Sequence, residues 1–165
     1  MQRRATLHLI CGLPGAGKTT YAERLKDSRD AALMSLDHWL ITSFGHYELA
    51  AVGYAEHARR VYAFRELIWG AAAELLRRDA DVVLDDGFFF RSDRVEHIAR
   101  ARQLGAGAAV HFIDTPVETV RTRLAERKRH RDESRFDIQP EALDACVAIF
   151  EPPSQDEGAE LIVVR

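Results

Sequence analysis

Gly12-Leu-Pro-Gly-Ala-Gly-Lys-Thr19 is the segment of this chain whose residue types and spacing most clearly suit chemistry. It fits the pattern G-x-x-x-x-G-K-[ST], in which backbone N–H groups turn inward on a phosphate oxygen because side chains do not obstruct them. A helix opening near Lys18 would aim its positive end at the same anion. Lys18 would then reach the β- and γ-phosphates of a nucleoside triphosphate, and the Thr19 hydroxyl would sit on Mg²⁺. Gly12, Pro14, Gly15, Ala16, Gly17, Lys18, Thr19 and Thr20 are the expected nucleotide-binding residues.

Asp37 follows a second apolar stretch, Ala31–Leu36, at the carboxyl edge of a strand, where α/β ligands bind. A carboxylate there accepts the proton of an acceptor hydroxyl and turns its oxygen toward the γ-phosphate. Aspartate in that place also serves as a turn or helix-capping residue. Asp85-Asp86 closes a third apolar run, Val-Val-Leu-Asp-Asp-Gly-Phe, and a carboxylate so placed is a partner of the metal. Only one of the two faces it; Asp85 is favoured because it ends the run, with Asp86 as the alternative. Gly87 lets Phe88–Phe90 turn toward a cleft, although at least two of these rings are expected in the core.

Six arginines and Lys128 lie between Arg121 and Arg135, against Glu126, Asp132 and Glu133. Arg123 and Arg127 stand one turn apart on a single helix face and can reach a nucleotide together. Their task there would be to stabilise charge on a transferring phosphoryl group. A plain solvated face is the other reading of the stretch.

These groups need a frame. Thr6–Cys11 reads as a buried strand, followed by a helix from Lys18 to about Ser28. Ala31–Leu36 is a second strand, and His38–Gly53 is irregular and aromatic. A long helix, Tyr54–Arg78, follows with an apolar stripe at 3.6-residue spacing. Asp81–Asp85 is a third strand, Ser92–Leu104 a helix closed by Gly105-Ala-Gly107, and Ala108–Asp114 a fourth strand. Thr115-Pro-Val-Glu118 opens a helix with Thr as N-cap, burying Val117, Val120 and Leu124. Pro140 opens a last helix with Leu143, Val147 and Phe150 at core spacing, and Leu161–Val164 is a terminal strand. Short apolar strands alternating with helices predict an α/β fold of three layers, with a five-stranded parallel sheet covered on both faces.

The 165 residues suit one domain, with no second domain beside it. With 47% hydrophobic and 30% charged residues the chain is globular, which excludes disorder and coiled coil for the whole of it. A net charge of −3 gives no global basic field to draw it onto nucleic acid or anionic membrane. Cys11 and Cys146 are lone thiols without metal-ligand spacing, as expected of a reducing compartment. Arg3-Arg4 before Thr6–Leu13 faintly resembles a signal peptide, but His8 interrupts the run. The expectation is a cytoplasmic protein without a membrane segment, a monomer or homodimer.

Together these residues resemble the small P-loop kinase group that includes chloramphenicol phosphotransferase, zeta toxins, gluconate kinase and the kinase domain of polynucleotide kinases. More closely, the chain is similar to bacterial proteins named as AAA family ATPases or predicted kinases. The shared features are residues 12–19, Leu-Asp-His-Trp at 36–39, Val-Val-Leu-Asp-Asp-Gly-Phe at 82–88, Asp-Thr-Pro-Val-Glu at 114–118, Arg-Leu-Ala-Glu-Arg at 123–127 and Phe-Glu-Pro-Pro at 150–153. The resemblance implies a P-loop NTPase fold with strand order 2-3-1-4-5, MgATP as donor, Asp37 as base and Arg127 as a lid arginine. It also implies that the Phe150–Pro153 loop, with Pro152, lies near the adenine, and that residues 121–140 form the lid.

Between Leu36 and Ala58, the expected acceptor cap (about 38–58), there is no Lys or Arg. Asp37, Glu48, Glu56, three histidines and four aromatics stand there instead, whereas an anionic acceptor would call for cations. Arg91 and Arg94 are the candidates for an anion site from the opposite side. His38, His46 and His57 lack paired metal-ligand spacing and read as surface or packing residues. The favoured function is transfer of the γ-phosphoryl group of MgATP to a hydroxyl of a small, non-anionic acceptor. A 5′-hydroxyl polynucleotide kinase and a non-catalytic ATP-binding switch are the alternatives.

Overall fold

The computed structural model describes residues 4–130 and 135–165. Five parallel strands form one sheet in the order β2-β3-β1-β4-β5. They are β1 (Thr6–Cys11), β2 (Ala32–Ser35), β3 (Val82–Gly87), β4 (Gly107–Ile113) and β5 (Glu160–Val164). The helices are α1 (Lys18–Arg29), α2 (Leu36–Phe44), α3 (Leu49–Val52), α4 (Tyr54–Leu76), α5 (Arg91–Gln103), α6 (Val117–His130) and α7 (Pro140–Ile149).

The two faces of the sheet carry separate cores because successive strand side chains alternate. Leu7, Leu9, Cys11, Val82 and Leu84 join Leu40 of α2, Ile68, Ala72 and Leu76 of α4, and Ile98 and Ala101 of α5. Ile10 and Val83 point the other way, to Ala22 and Leu25 of α1, Val120 and Leu124 of α6 and Leu143 of α7. Burial of each such Leu, Ile or Val contributes roughly 1.5–3 kcal/mol, which holds the strand ends fixed under the loops at their carboxyl edge.

Five expectations change. His38–Gly53 is not irregular: α2 begins at Leu36, directly off β2, and α3 fills most of the remainder. Asp37 therefore stands in the first turn of α2 rather than at a strand end, with Ser35 in the cap position. β3 runs two residues past Asp85, and its pairing with β1 slips by one between Ile10 and Cys11, from Ile10↔Asp85 to Cys11↔Gly87, so that Asp86 is skipped. Thr115 lends its hydroxyl to Ala16 O at 2.8 Å instead of capping α6, which starts at Val117. Val147 is exposed on α7, where Leu143 alone is fully buried.

Candidate active site

α1 opens where the glycine-rich loop ends. Its cap is Gly17, with φ 102°, and no side chain caps it and no acidic residue occupies its first turn. The leading N–H groups of a 12-residue helix are thus left for an anion. A Cβ at Gly17 would be strained by the positive φ and would come within 3.4 Å of the Arg123 guanidinium. At the other end of the loop, a Cβ on Gly12 would stand 2.9 Å from Ile113 O, and the Gly12 N–H is already given to Gly87 O at 3.1 Å. Gly12 thus shapes the loop rather than offering a donor.

Lys18 Nζ reaches back across the loop to Leu13 O at 2.8 Å. Burial pulls its pKa down, while the neighbouring Asp85 and Asp37 act to restore it. Thr19 Oγ1 donates to Asp85 Oδ2 at 2.8 Å. Asp86, the adjacent residue, lies on the other side of the pleat. It takes a two-pronged bond from Arg65 of α4, at 2.7 and 2.9 Å, and Arg65 also meets Asp93 at 3.3 Å. Of the two aspartates, the structure sets Asp85 against the hydroxyl expected on the metal and Asp86 against α4.

Thr19 and Asp85 together offer hard oxygen ligands, the donor type that suits Mg²⁺. No group of three His, Cys, Asp or Glu side chains among the described residues could hold a metal by itself. The two oxygens fit an ion that arrives with phosphate oxygens supplying further ligands.

A cleft of about 760 Å³ opens over this edge of the sheet. Pro14 to Thr20, Asp37, Asp85, Arg123 and Arg127 all line it. Arg123 Nη1 donates to Ala16 O at 3.0 Å, and Arg127 Nη2 donates to Phe136 O at 3.1 Å. Residues 131–134 of the expected lid, including Arg131, Asp132 and Glu133, lie outside the described residues. Leu40, Leu49, His57, Val61 and Phe136 also line the cleft, from α2, α3, α4 and the segment after α6.

Asp37 is exposed toward the cleft yet closed in by protein on its other sides. That setting raises its carboxyl pKa; Asp85 and Asp86 push the same way, and Lys18 and Arg127 oppose them. A carboxylate so placed can take a proton from a hydroxyl entering the cleft.

Three expected residues do not line the cleft. Pro152 is exposed in a loop whose Phe150 meets Phe89 and Phe112 and whose Glu151 N donates to Phe89 O at 3.0 Å. Pro152 is not among the residues lining the cleft. Arg94 is fully buried with both prongs on Glu157 at 2.7 Å, and Arg91 is bonded to Ser154 and Asp156. Neither arginine offers an anion site to the cleft. Conversely, Arg65, Phe136 and the Thr115 hydroxyl were not singled out from the sequence. The spacing around them carries no signal, since each is brought to the site from a distant element.

Residues 7–153 match a family model described as an AAA domain. The chain belongs to that family. Membership implies nucleotide binding, and the fold is that of P-loop kinases. No curated protein matches the sequence. Among solved structures, a candidate kinase from Chloroflexus aurantiacus superposes with a TM-score of 0.77 at 15% identity, covering 98% of this chain and 88% of that one. Kti12 from Chaetomium thermophilum, in complex with ADP-AlF3, gives 0.72 at 20% identity, covering 96% and 88%. A gluconokinase from Sinorhizobium meliloti gives 0.59 at 18% identity, covering 98% and 84%. At such identities the likeness concerns the fold of this AAA domain. Among its described residues, no helix is long and apolar enough to cross a membrane.

Proposed function

We propose that the chain is a kinase that transfers the γ-phosphoryl group of ATP to a hydroxyl of a small, non-anionic acceptor such as a nucleoside, an antibiotic or a sugar-like compound. One observation carries the reading: a single cleft is lined at once by the phosphate loop, Asp37, the Thr19–Asp85 pair, and Arg123 and Arg127. A passive MgATP site needs Asp85 for the metal but has no need of a second carboxylate, Asp37, beside Lys18.

In this reading the acceptor oxygen forms a bond to the γ-phosphorus as the bond to the β–γ bridging oxygen breaks. ADP leaves, and the hydroxyl proton passes to Asp37. Lys18 and the N–H groups at the start of α1 hold the phosphates in line, and Arg123 and Arg127 offset charge on the transferring group. Thr19 and Asp85 would hold Mg²⁺, whose chemistry is to neutralise phosphate charge. Leu40, Leu49 and Val61 give the acceptor end an apolar wall. Asp86 is matched there by Arg65, and Asp37 is the carboxylate left facing the acceptor, which supports a neutral or cationic one.

The test is ADP release from MgATP by the purified protein, alone and against nucleosides, hydroxylated antibiotics, sugars and 5′-hydroxyl oligonucleotides. Stimulation by a neutral small molecule is expected, and Lys18→Ala should remove it. Stimulation by oligonucleotides alone, falling steeply with salt, would replace this reading with a polynucleotide kinase. ATP binding without stimulation by any class would replace it with a switch.

A further inference from the structure

His57, whose sequence spacing suits a surface or packing residue, is half-buried at the acceptor end of the cleft, in the first turns of α4. Its Nδ1 lies 3.0 Å from the Tyr47 hydroxyl. Its ring meets Phe136 edge-on, with centroids 5.8 Å apart, and Tyr47 meets the same Phe136 at 4.8 Å. The ring is therefore fixed on two sides, by a hydrogen bond and by an aromatic edge.

The neighbourhood favours one direction for that hydrogen bond. Arg60 stands over the Tyr47 ring, 5.0 Å from its centroid, and is tied to Glu56 at 2.9 Å. A guanidinium has no acceptor atom to take the phenolic proton. In the favoured arrangement His57 Nδ1 offers a lone pair to the phenol, Tyr47 donates and the imidazole proton sits on Nε2. Burial, with Arg60 nearby, also lowers the His57 pKa and keeps the ring neutral at pH 7. Nε2–H has no protein partner among the described residues.

We propose that His57 is a specificity-determining residue of the acceptor site, whose Nε2–H donates to a carbonyl oxygen or ring nitrogen of a neutral, partly apolar acceptor. This rests on the kinase reading above. It narrows the acceptor to compounds that carry such an atom apart from the reacting hydroxyl, as nucleosides and amide-bearing antibiotics do and simple sugars do not.

Two measurements test it. ¹⁵N-resolved imidazole spectra of the intact protein should show His57 protonated on Nε2, and a mixture of tautomers in Tyr47→Phe. A dominant Nδ1–H form in the wild type would overturn the proposal without touching the kinase reading. With the acceptor that stimulates ADP release, His57→Phe should raise its KM about tenfold, the loss of one neutral hydrogen bond, and lower kcat far less. His57→Gln, which keeps a donor, should recover part of that KM. An unchanged KM in His57→Phe, or stimulation by sugars alone, overturns the role of His57 and leaves the kinase standing. A panel with no stimulation at all overturns both.

Discussion

Asp37 carries the sharpest prediction at the scale of a single residue. If it takes the acceptor proton, Asp37→Asn should lower turnover about 10²-fold or more while ATP affinity changes little. Nucleotide titration beside a steady-state assay separates the two quantities, and unchanged turnover would make Asp37 structural. The pH dependence has a fixed sign. Its pKa is raised above the ordinary 3.8, first by burial and then by Asp85 and Asp86. Activity is present above the raised pKa and lost as pH falls through it, so the acid limb should lie above the ordinary carboxylate range. That limb should vanish in the residual activity of Asp37→Asn. Asp85→Asn should instead keep the limb but move it to lower pH, since a charge that raises the Asp37 pKa is gone, and should weaken the apparent affinity for Mg²⁺.

At the scale of elements, Arg94 and Glu157 join α5 to the turn before β5. Arg94 gives two bonds of 2.7 Å to Glu157 and a third, of 2.8 Å, to Phe88 O, all in the buried interior. Arg94→Leu strands a buried carboxylate and should cost about 3–5 kcal/mol in urea unfolding. The double variant with Glu157→Leu should recover much of it; no recovery would mean that Arg94 acts through packing. This pair also shows what the sequence hid. Arg94 looked like a free cation following β3 because its partner is 63 residues away. The strands, their parallel sheet and the phosphate loop were legible because each rests on a local pattern: apolar runs, capping residues, glycine spacing. The segment 38–53 was not, since Gly45 and Gly53 break it and its helices are short and half-buried, so periodicity had little length in which to appear. Asp85 and Asp86 could not be separated by sequence alone, because the strand end that sorts them depends on pairing with β1.

For the whole molecule, the polar seam inside the sheet sets the response to acid. His8 Nδ1 lies 2.9 Å from His111 Nε2, and the Tyr21 hydroxyl meets His111 Nδ1 at 2.8 Å. Burial, then the neighbouring His8, lowers the His111 pKa from 6.5 to about 4. Between those values the unfolded chain binds a proton that the folded chain refuses. This contribution to stability is whole above pH 6.5 and shrinks as pH falls toward 4, with a slope approaching about 1.4 kcal/mol per pH unit. Urea unfolding at pH 7.5 and 5.0 should show the loss, and His111→Gln should be less stable at pH 7.5 but flatter between the two. An equal slope in both proteins would place the acid sensitivity elsewhere.

The skipped residue in β3 has a consequence for how the gene can change. Cys11 pairs with Gly87, so position 86 is an inserted step in an otherwise regular ladder. Loss of its codon would restore even pairing with Cys11 and keep Asp85 in register with Ile10, beside Thr19. Arg65 would then hold only Asp93, and α4 would rest on β3 through its apolar contacts alone. A single lost codon would thus act on how α4 is held and not on the Asp85–Thr19 pairing.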